Sequence, residues 1–167
     1  FFLTHGVDPN KPDTNGVYPL EAAMNYKFSD AAIELINSGK IDFKTKFKID
    51  NIDSEKPKYT TYIHMAAASS NHEIIELLLE KKIFDINDLN DVGDTPLIVA
   101  CKMKRRENII ILFECDFVYN FQIDFHHKNI DGNDALKIVN SNENATDEKI
   151  DDKDDFLNTL LDHLSKF

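Results

Sequence analysis

The chain has 167 residues, 42% of them hydrophobic, a formal net charge of -11 and two cysteines. That is enough apolar material for one globular domain or a short array of repeats. The negative charge argues against DNA, RNA or an anionic membrane as a partner and favours a basic partner, or a neutral one approached through a local patch.

In chain order, Phe1-Phe2-Leu3-Thr4-His5-Gly6-Val7-Asp8-Pro9-Asn10 reads as the close of a unit whose first helix is missing. Residues 1–12 are therefore expected to end a truncated repeat. Its apolar Phe2 and Leu3 are expected to meet residues upstream or another chain, because terminal units of a stack carry a polar outer face. Gly16-Val17-Tyr18-Pro19-Leu20-Glu21-Ala22-Ala23 opens the first full unit, 13–46. Its second helix, Ala32-Ile33-Glu34-Leu35-Ile36, runs to Gly39, a residue suited to the left-handed position after a helix. A loop insertion follows at 47–56.

The clearest unit spans 57–90. Thr61 is placed to cap a helix with its hydroxyl, and Ile63, Ala66 and Ala67 fall on one face of that helix. A second helix, His72-Glu73-Ile74-Ile75-Glu76-Leu77-Leu78-Leu79, puts Ile74, Ile75, Leu78 and Leu79 on one face. Phe84-Asp85-Ile86-Asn87 then leads into a polar loop. The unit at 91–128 opens with Gly93-Asp94-Thr95-Pro96-Leu97-Ile98-Val99-Ala100-Cys101, Thr95 lying 34 residues after Thr61. Its second helix is Glu107-Asn108-Ile109-Ile110-Ile111-Leu112-Phe113, and extra residues at 117–122 read as a second loop insertion. The last unit, 129–167, starts Gly132-Asn133-Asp134-Ala135-Leu136. An acidic loop at 142–155 separates its first helix, 134–141, from an apolar stripe of Phe156, Leu157, Leu160, Leu161 and Leu164, with Asp155 as the cap.

Two registers count the units independently. Leu20, Ile63, Leu97 and Leu136 are spaced 43, 34 and 39 apart, and Asp8, Asp42, Asp85 and Asp124 are spaced 34, 43 and 39 apart. Irregularity shared by both registers marks insertions within an intact repeat. The units resemble ankyrin repeats: a T-P-L-H-x-A opening, an H-x-I-V-x-L-L-L second helix and a D-x-N step into a turn. Tyr62 and Ala135 depart from the family proline, and only His64 keeps its histidine. The resemblance implies an all-α helix-turn-helix solenoid with β-turn fingers, about three full repeats between a partial N-terminal unit and a modified C-terminal capping unit, as a single domain.

The resemblance also implies a concave surface formed by the fingers and the first helices. Carried onto this sequence, the finger positions are Val17, Lys58, Thr60, Asp91, Val92, Asp94 and Asn133. The helix-end positions are Asn25, Tyr26, Ser69, Lys102 and Met103. Tyr26 and Met103 are the expected anchors, since large or adaptable side chains carry most binding energy.

Other groupings are read as scaffold first. His126-His127-Lys128 lacks zinc-ligand spacing, and the acidic run 147–155 lacks the glycine of a calcium loop. That run reads as a solvated loop, with a site for a basic partner as its alternative. Lys102, Lys104, Arg105 and Arg106 read as a solvated turn, or as partners for the acidic loop of the next unit. His64 is read as scaffold, and Cys101 as a small buried apolar residue. No phosphate loop, HExxH, GxSxG or kinase signature occurs. The cysteines lack CxxC spacing, and no apolar run approaches the ~20 residues of a membrane helix. The expectation is a non-enzymatic protein-interaction module, a monomer apart from contacts at its N-terminal apolar end, without metal or cofactor, in the cytoplasm. The rival expectation is a regulatory or targeting part of a larger enzyme or exported effector.

Overall fold

The structure, a computed structural model, describes residues 8–50, 54–69 and 71–143. The expected apolar N-terminal end at Phe2 and Leu3, most of the acidic loop and the last helix lie outside these residues. Seven helices and one small hairpin are present among them: α1 Pro19–Asn25, α2 Ser29–Asn37, β1 Phe47–Lys48, β2 Tyr59–Thr60, α3 Tyr62–Ala68, α4 His72–Glu80, α5 Pro96–Lys102, α6 Arg106–Tyr119 and α7 Ala135–Glu143. Helices pair within a unit, α1 with α2, α3 with α4 and α5 with α6. The first helices stack in one layer in the order α1, α3, α5, α7, and the second helices stack in another, α2, α4, α6.

Burial explains the stack. Ile63, Ala66 and Ala67 of α3 are buried against Ile74, Ile75, Leu78 and Leu79 of α4, all within one core cluster that also takes in α5 and α6. A helix pair of seven and nine residues cannot exclude water from both its faces, so each unit completes its core on its neighbour. Alanines in α3 and α5 keep the layers close.

Three fingers close in the same way. Asp13 Oδ1 accepts the N–H groups of Asn15 and Val17 at 2.8 and 2.9 Å. Asn90 Oδ1 does the same for Val92 and Asp94, and Asn129 Oδ1 for Asp131 and Asn133. The two backbone donors also hold the Asp13 carboxyl below its ordinary value. Adjacent fingers are then joined through the backbone, Asp91 N–H to the Tyr59 carbonyl at 2.9 Å and Ile130 N–H to the Val92 carbonyl at 3.1 Å.

The described parts of both insertions have regular structure. The first is not a plain loop: β1 and β2 pair antiparallel, Phe47 opposite Thr60, as a lengthened finger. Its root is held by rings, Phe47 lying 4.7 Å from Tyr62 and 5.9 Å from Tyr18 between centroids. Tyr62, in the place of the family proline, is buried in this cluster. The second insertion, expected as a loop at 117–122, is helical over residues 117–119. Helix α6 continues to Tyr119, five residues longer than α4, and ends at Asn120 in a left-handed conformation, φ 53°.

Gly93 and Gly16 have the same left-handed backbone, φ 72° and 82°, in different surroundings. A Cβ at Gly93 would lie 3.3 Å from Ile130 N and 3.4 Å from Asn129 Cα, whereas nothing lies within 4 Å of one at Gly16. Gly16→Ala is expected to lower unfolding free energy by about 1 kcal/mol through backbone strain alone. Gly93→Ala should cost about 2 kcal/mol or more, because the next finger must also shift. Urea unfolding of both variants checks the order; equal losses would mean that finger packing contributes nothing.

Candidate protein-interaction surface

The opening of each first helix is fixed by polar groups that serve the scaffold. Thr95 accepts the Ile98 N–H at 3.2 Å, a capping bond, and Asp134 Oδ1 accepts the Lys137 N–H at 2.8 Å. Thr61 behaves differently from expectation. Its hydroxyl lies 2.8 Å from His64 Nδ1 and makes no capping bond to backbone. His64 Nε2 lies 3.0 Å from both the Asp88 and Asp94 carbonyls, so Nε2 carries the proton and Nδ1 accepts from Thr61. His64 thus ties α3 to the loop and finger of the following unit. Burial pushes its pKa down, outweighing the nearby carbonyls and carboxylates that favour the charged form.

Asp94 is the other node. Its carboxylate takes Lys102 Nζ at 2.7 and 2.8 Å and Asn129 Nδ2 at 2.8 Å, and it is only 4% exposed. Expected as a contact residue on the third finger, it instead joins that finger to α5 and to the next finger. Lys102 is committed to the same pair. Arg105 Nε donates to the Ala68 carbonyl at 2.7 Å, so part of the basic cluster stitches units together. Val92 is buried as well, its carbonyl held by Ile130. These two finger residues, Val92 and Asp94, are corrected from exposed contacts to buried structure: side chains alternate in direction within a finger, and spacing alone does not say which point outward.

The remaining expected contact residues are accessible to different degrees. Val17, Lys58, Thr60, Ser69, Asp91 and Asn133 are half-buried. Asp91 also accepts the Tyr59 N–H at 3.2 Å and pairs with Lys46 at 3.3 Å. Asn25 is exposed, Tyr26 is 71% exposed and Met103 is 51% exposed.

The positions of Tyr26 and Met103 follow from the same turn at the ends of α1 and α5. After α1, Phe28 N–H reaches the Ala23 carbonyl at 2.8 Å and Lys27 N–H the Met24 carbonyl at 3.3 Å, with Lys27 left-handed at φ 59°. After α5, Arg105 N–H reaches Ala100 at 2.9 Å and Lys104 N–H reaches Cys101 at 3.2 Å, with Lys104 at φ 54°. These are paired bonds of the Schellman type, which satisfy the last carbonyls of a helix and turn the chain sharply. Each leaves the preceding residue, Tyr26 or Met103, projecting from the end of its helix. Phe28 adds to the first site: it is exposed, and its ring centroid is 6.3 Å from that of Tyr26. Sequence reasoning missed Phe28, although its place beside the helix end could have drawn attention.

The remaining special residues have structural positions. His127 Nε2 donates to the Gly93 carbonyl at 2.8 Å, and His126 is exposed. Among the described residues no group of three or more histidine, cysteine or acidic side chains is gathered as a metal site would require. Cys101 and Cys115 are buried, with burial raising both thiols to about 12. Neither is a ready nucleophile near neutral pH. Among the described residues no helix is long and apolar enough to cross a membrane.

Residues 22–129, well over half of the chain, match the family model described as ankyrin repeats, in three copies.

The buried His64 generates a pH test. A histidine whose folded pKa lies below its ordinary 6.5 binds fewer protons folded than unfolded, so stability is full above 6.5 and declines as pH falls through that value. The urea midpoint should therefore drop between pH 7.5 and pH 5. His64→Gln should lower stability at pH 7.5, by about 1–3 kcal/mol for the lost buried bonds, and should reduce the pH slope. A slope unchanged by the substitution would assign it to other groups.

Proposed function

The chain belongs to the ankyrin repeat family, whose repeats are generally protein–protein interaction modules and typically non-catalytic, and from that premise we propose that it binds a protein partner through the finger and first-helix side of the stack. The observation that carries this reading is the pair of projecting side chains, Tyr26 and Met103, on rigid turns at the ends of α1 and α5. Large side chains held in place lose little freedom on binding, so a few of them dominate affinity. Phe28 enlarges the apolar area at the first anchor, while the half-buried Val17, Thr60, Ser69 and Asn133 supply a mixed, less charged border.

Asp91 is half-buried on its finger and Lys46 sits across from it. A partner lysine or arginine competing for Asp91 is consistent with the overall charge of -11. A recognition segment with apolar anchors and at least one cation is therefore the favoured chemistry.

Recovery of partners from the native cell, by affinity capture on the intact chain, tests this reading. Tyr26→Ala combined with Met103→Ala should weaken the recovered complex by about tenfold or more, the effect of losing one or two anchor contacts. Because both side chains are exposed, the thermal midpoint should stay within a few degrees of the parent. A partner retained with undiminished affinity would show that this face is not the binding face.

A further inference from the structure

The two helix layers differ in what they expose. The extended end of α6, in the second-helix layer, places Phe117 at 80% exposure and Val118 at 66%, beside the half-exposed Tyr119. Helix α4 ends before the corresponding turn, so these side chains are exposed by the extension itself. Ile111, Cys115 and Val118 are spaced along one stripe of α6 and line a depression of about 260 Å³ that reaches across to Glu76 of α4. A second depression, about 640 Å³, adjoins it through Tyr119 and continues over Ile83, Phe84 and Phe121. The ring of Tyr119, which lines both, lies 5.4 Å from that of Phe121 between centroids.

The apolar floor has an acidic border. Glu76 and Glu114 flank the first depression, and Glu80, Asp85 and Asp88 flank the second, with Lys82 as the one cation lining either. The Tyr119 phenol reports the same surroundings: partial removal from water, then Glu80 and Glu76, hold its pKa above the ordinary value.

The extension is fixed before any partner arrives. Asp116, buried, accepts the Ile123 N–H at 3.0 Å and clamps the returning chain to the helix it has just left. The left-handed residues Asn120 and Gln122, φ 53° and 62°, complete the reversal. Exposed aromatic and aliphatic side chains on an ordered helix lose little entropy on binding.

We propose that this surface of α4 and α6 is a second docking site, for a short amphipathic segment of a partner protein that carries lysines or arginines beside its apolar face. Charge selects among possible occupants. A second copy of the chain would bring another -11 to an already acidic border. The chain's own 143–155 segment holds seven acids against two lysines and is repelled in the same way. An anionic membrane or a nucleic acid is disfavoured on the same ground. A cationic amphipathic segment satisfies both features of the site, laying its apolar residues on Ile111, Phe117 and Val118 with its cations toward Glu76 and Glu114.

The test uses two synthetic peptides: one of leucine and lysine with leucines at helical i, i+3, i+4, i+7 spacing, and its counterpart with glutamate for every lysine. Titrated into the isotopically labelled full chain, the lysine peptide should shift the amide resonances of Phe117, Val118 and Tyr119, and the glutamate peptide should not. Phe117→Ser with Val118→Ser should weaken the lysine peptide about tenfold without changing the far-ultraviolet spectrum. Glu76→Gln with Glu114→Gln should weaken it and flatten its salt dependence. Tyr26→Ala with Met103→Ala should leave it unchanged, which separates this site from the face proposed above. The proposal is overturned if the serine variant binds as tightly as the parent, or if the shifts centre on Tyr26 and Met103. It is also overturned if the serine substitutions alone move the resonances of residues 156–164, since the chain would then cover its own surface.

Discussion

The whole architecture depends on one constraint: a pair of short helices has no interior of its own, so each must be held in register on the next. Apolar contact supplies the attraction but is tolerant of sliding, and directional polar bonds set the register. Asn10 of the N-terminal unit donates to the Lys40 carbonyl at 2.7 Å and accepts the Asp42 N–H at 2.7 Å. Asn87 repeats this pair with the Gln122 carbonyl and the Asp124 N–H, at 2.9 Å each. On the opposite edge, Asn71 donates to Met24 at 2.6 Å, and Asn108 reaches the carbonyls of Ala66 and Ala67 at 3.1 and 2.9 Å. A net gain of about 1 kcal/mol per bond is modest. A slip that left the buried amides of Asn71 and Asn108 unpaired would cost more, and that asymmetry helps to fix the register.

Among the described residues, the junction between the units 13–46 and 57–90 lacks the asparagine bridge and shows what replaces it. Lys44 occupies the position of Asn10 and Asn87. The Asp85 N–H, which such an asparagine would satisfy, goes to Asp88 Oδ2 at 2.9 Å instead. At that junction Phe43 spans the gap, its ring 5.9 Å from Tyr62 and 6.0 Å from Phe84 in edge-on contacts. Aromatic packing between units thus stands where two hydrogen bonds stand elsewhere. Such edge contacts contribute roughly 0.5–1.5 kcal/mol beyond their burial, similar to the bonds they replace. The lengthened finger grows from the same place, with Phe47 closing the cluster on Tyr62.

This comparison also explains which features could be read from the sequence. The order of helices, the buried alanines of α3 and the apolar face of α4 were legible because a repeated period names each residue's place in a unit. The form of the insertions was not, since they occur once and have no copy to align. Residues 114–119, Glu-Cys-Asp-Phe-Val-Tyr, carry an acid in mid-run that reads as the start of a loop. Asp116 is helical because its carboxylate finds the Ile123 N–H, a partner seven residues away that only the fold brings near. The candidate surface was legible where exposure follows from a helix end, as at Tyr26 and Met103. It was not legible in the fingers, where Asp91 and Asp94 share a residue type and a loop but face border and interior. Thr61 illustrates the same limit at atomic scale: a hydroxyl beside both a backbone donor and an imidazole has two sensible partners, and His64 takes it.

The helix ends link the scaffold to the surface. Lys27, Lys82 and Lys104 all occupy left-handed backbone, φ 59°, 54° and 54°, where glycine is the less strained choice. That conformation costs a residue with a side chain about 1–2 kcal/mol. A cation at a helix C-terminus returns about 0.3–1 kcal/mol from the exposed carbonyl ends, and a lysine loses less freedom on folding than glycine does. The balance is near even, so lysine is tolerated at each turn while the paired backbone bonds keep the geometry. A stiff turn of this kind is what makes its neighbour useful: Tyr26 and Met103 project from backbone that is already fixed. The same logic holds for α6, where Asn120 ends the helix in left-handed backbone and Asp116 ties down the return. Strain accepted in the backbone is thus offset by local bonds, and the outcome at three helix ends is a large apolar side chain presented to solvent on a rigid base.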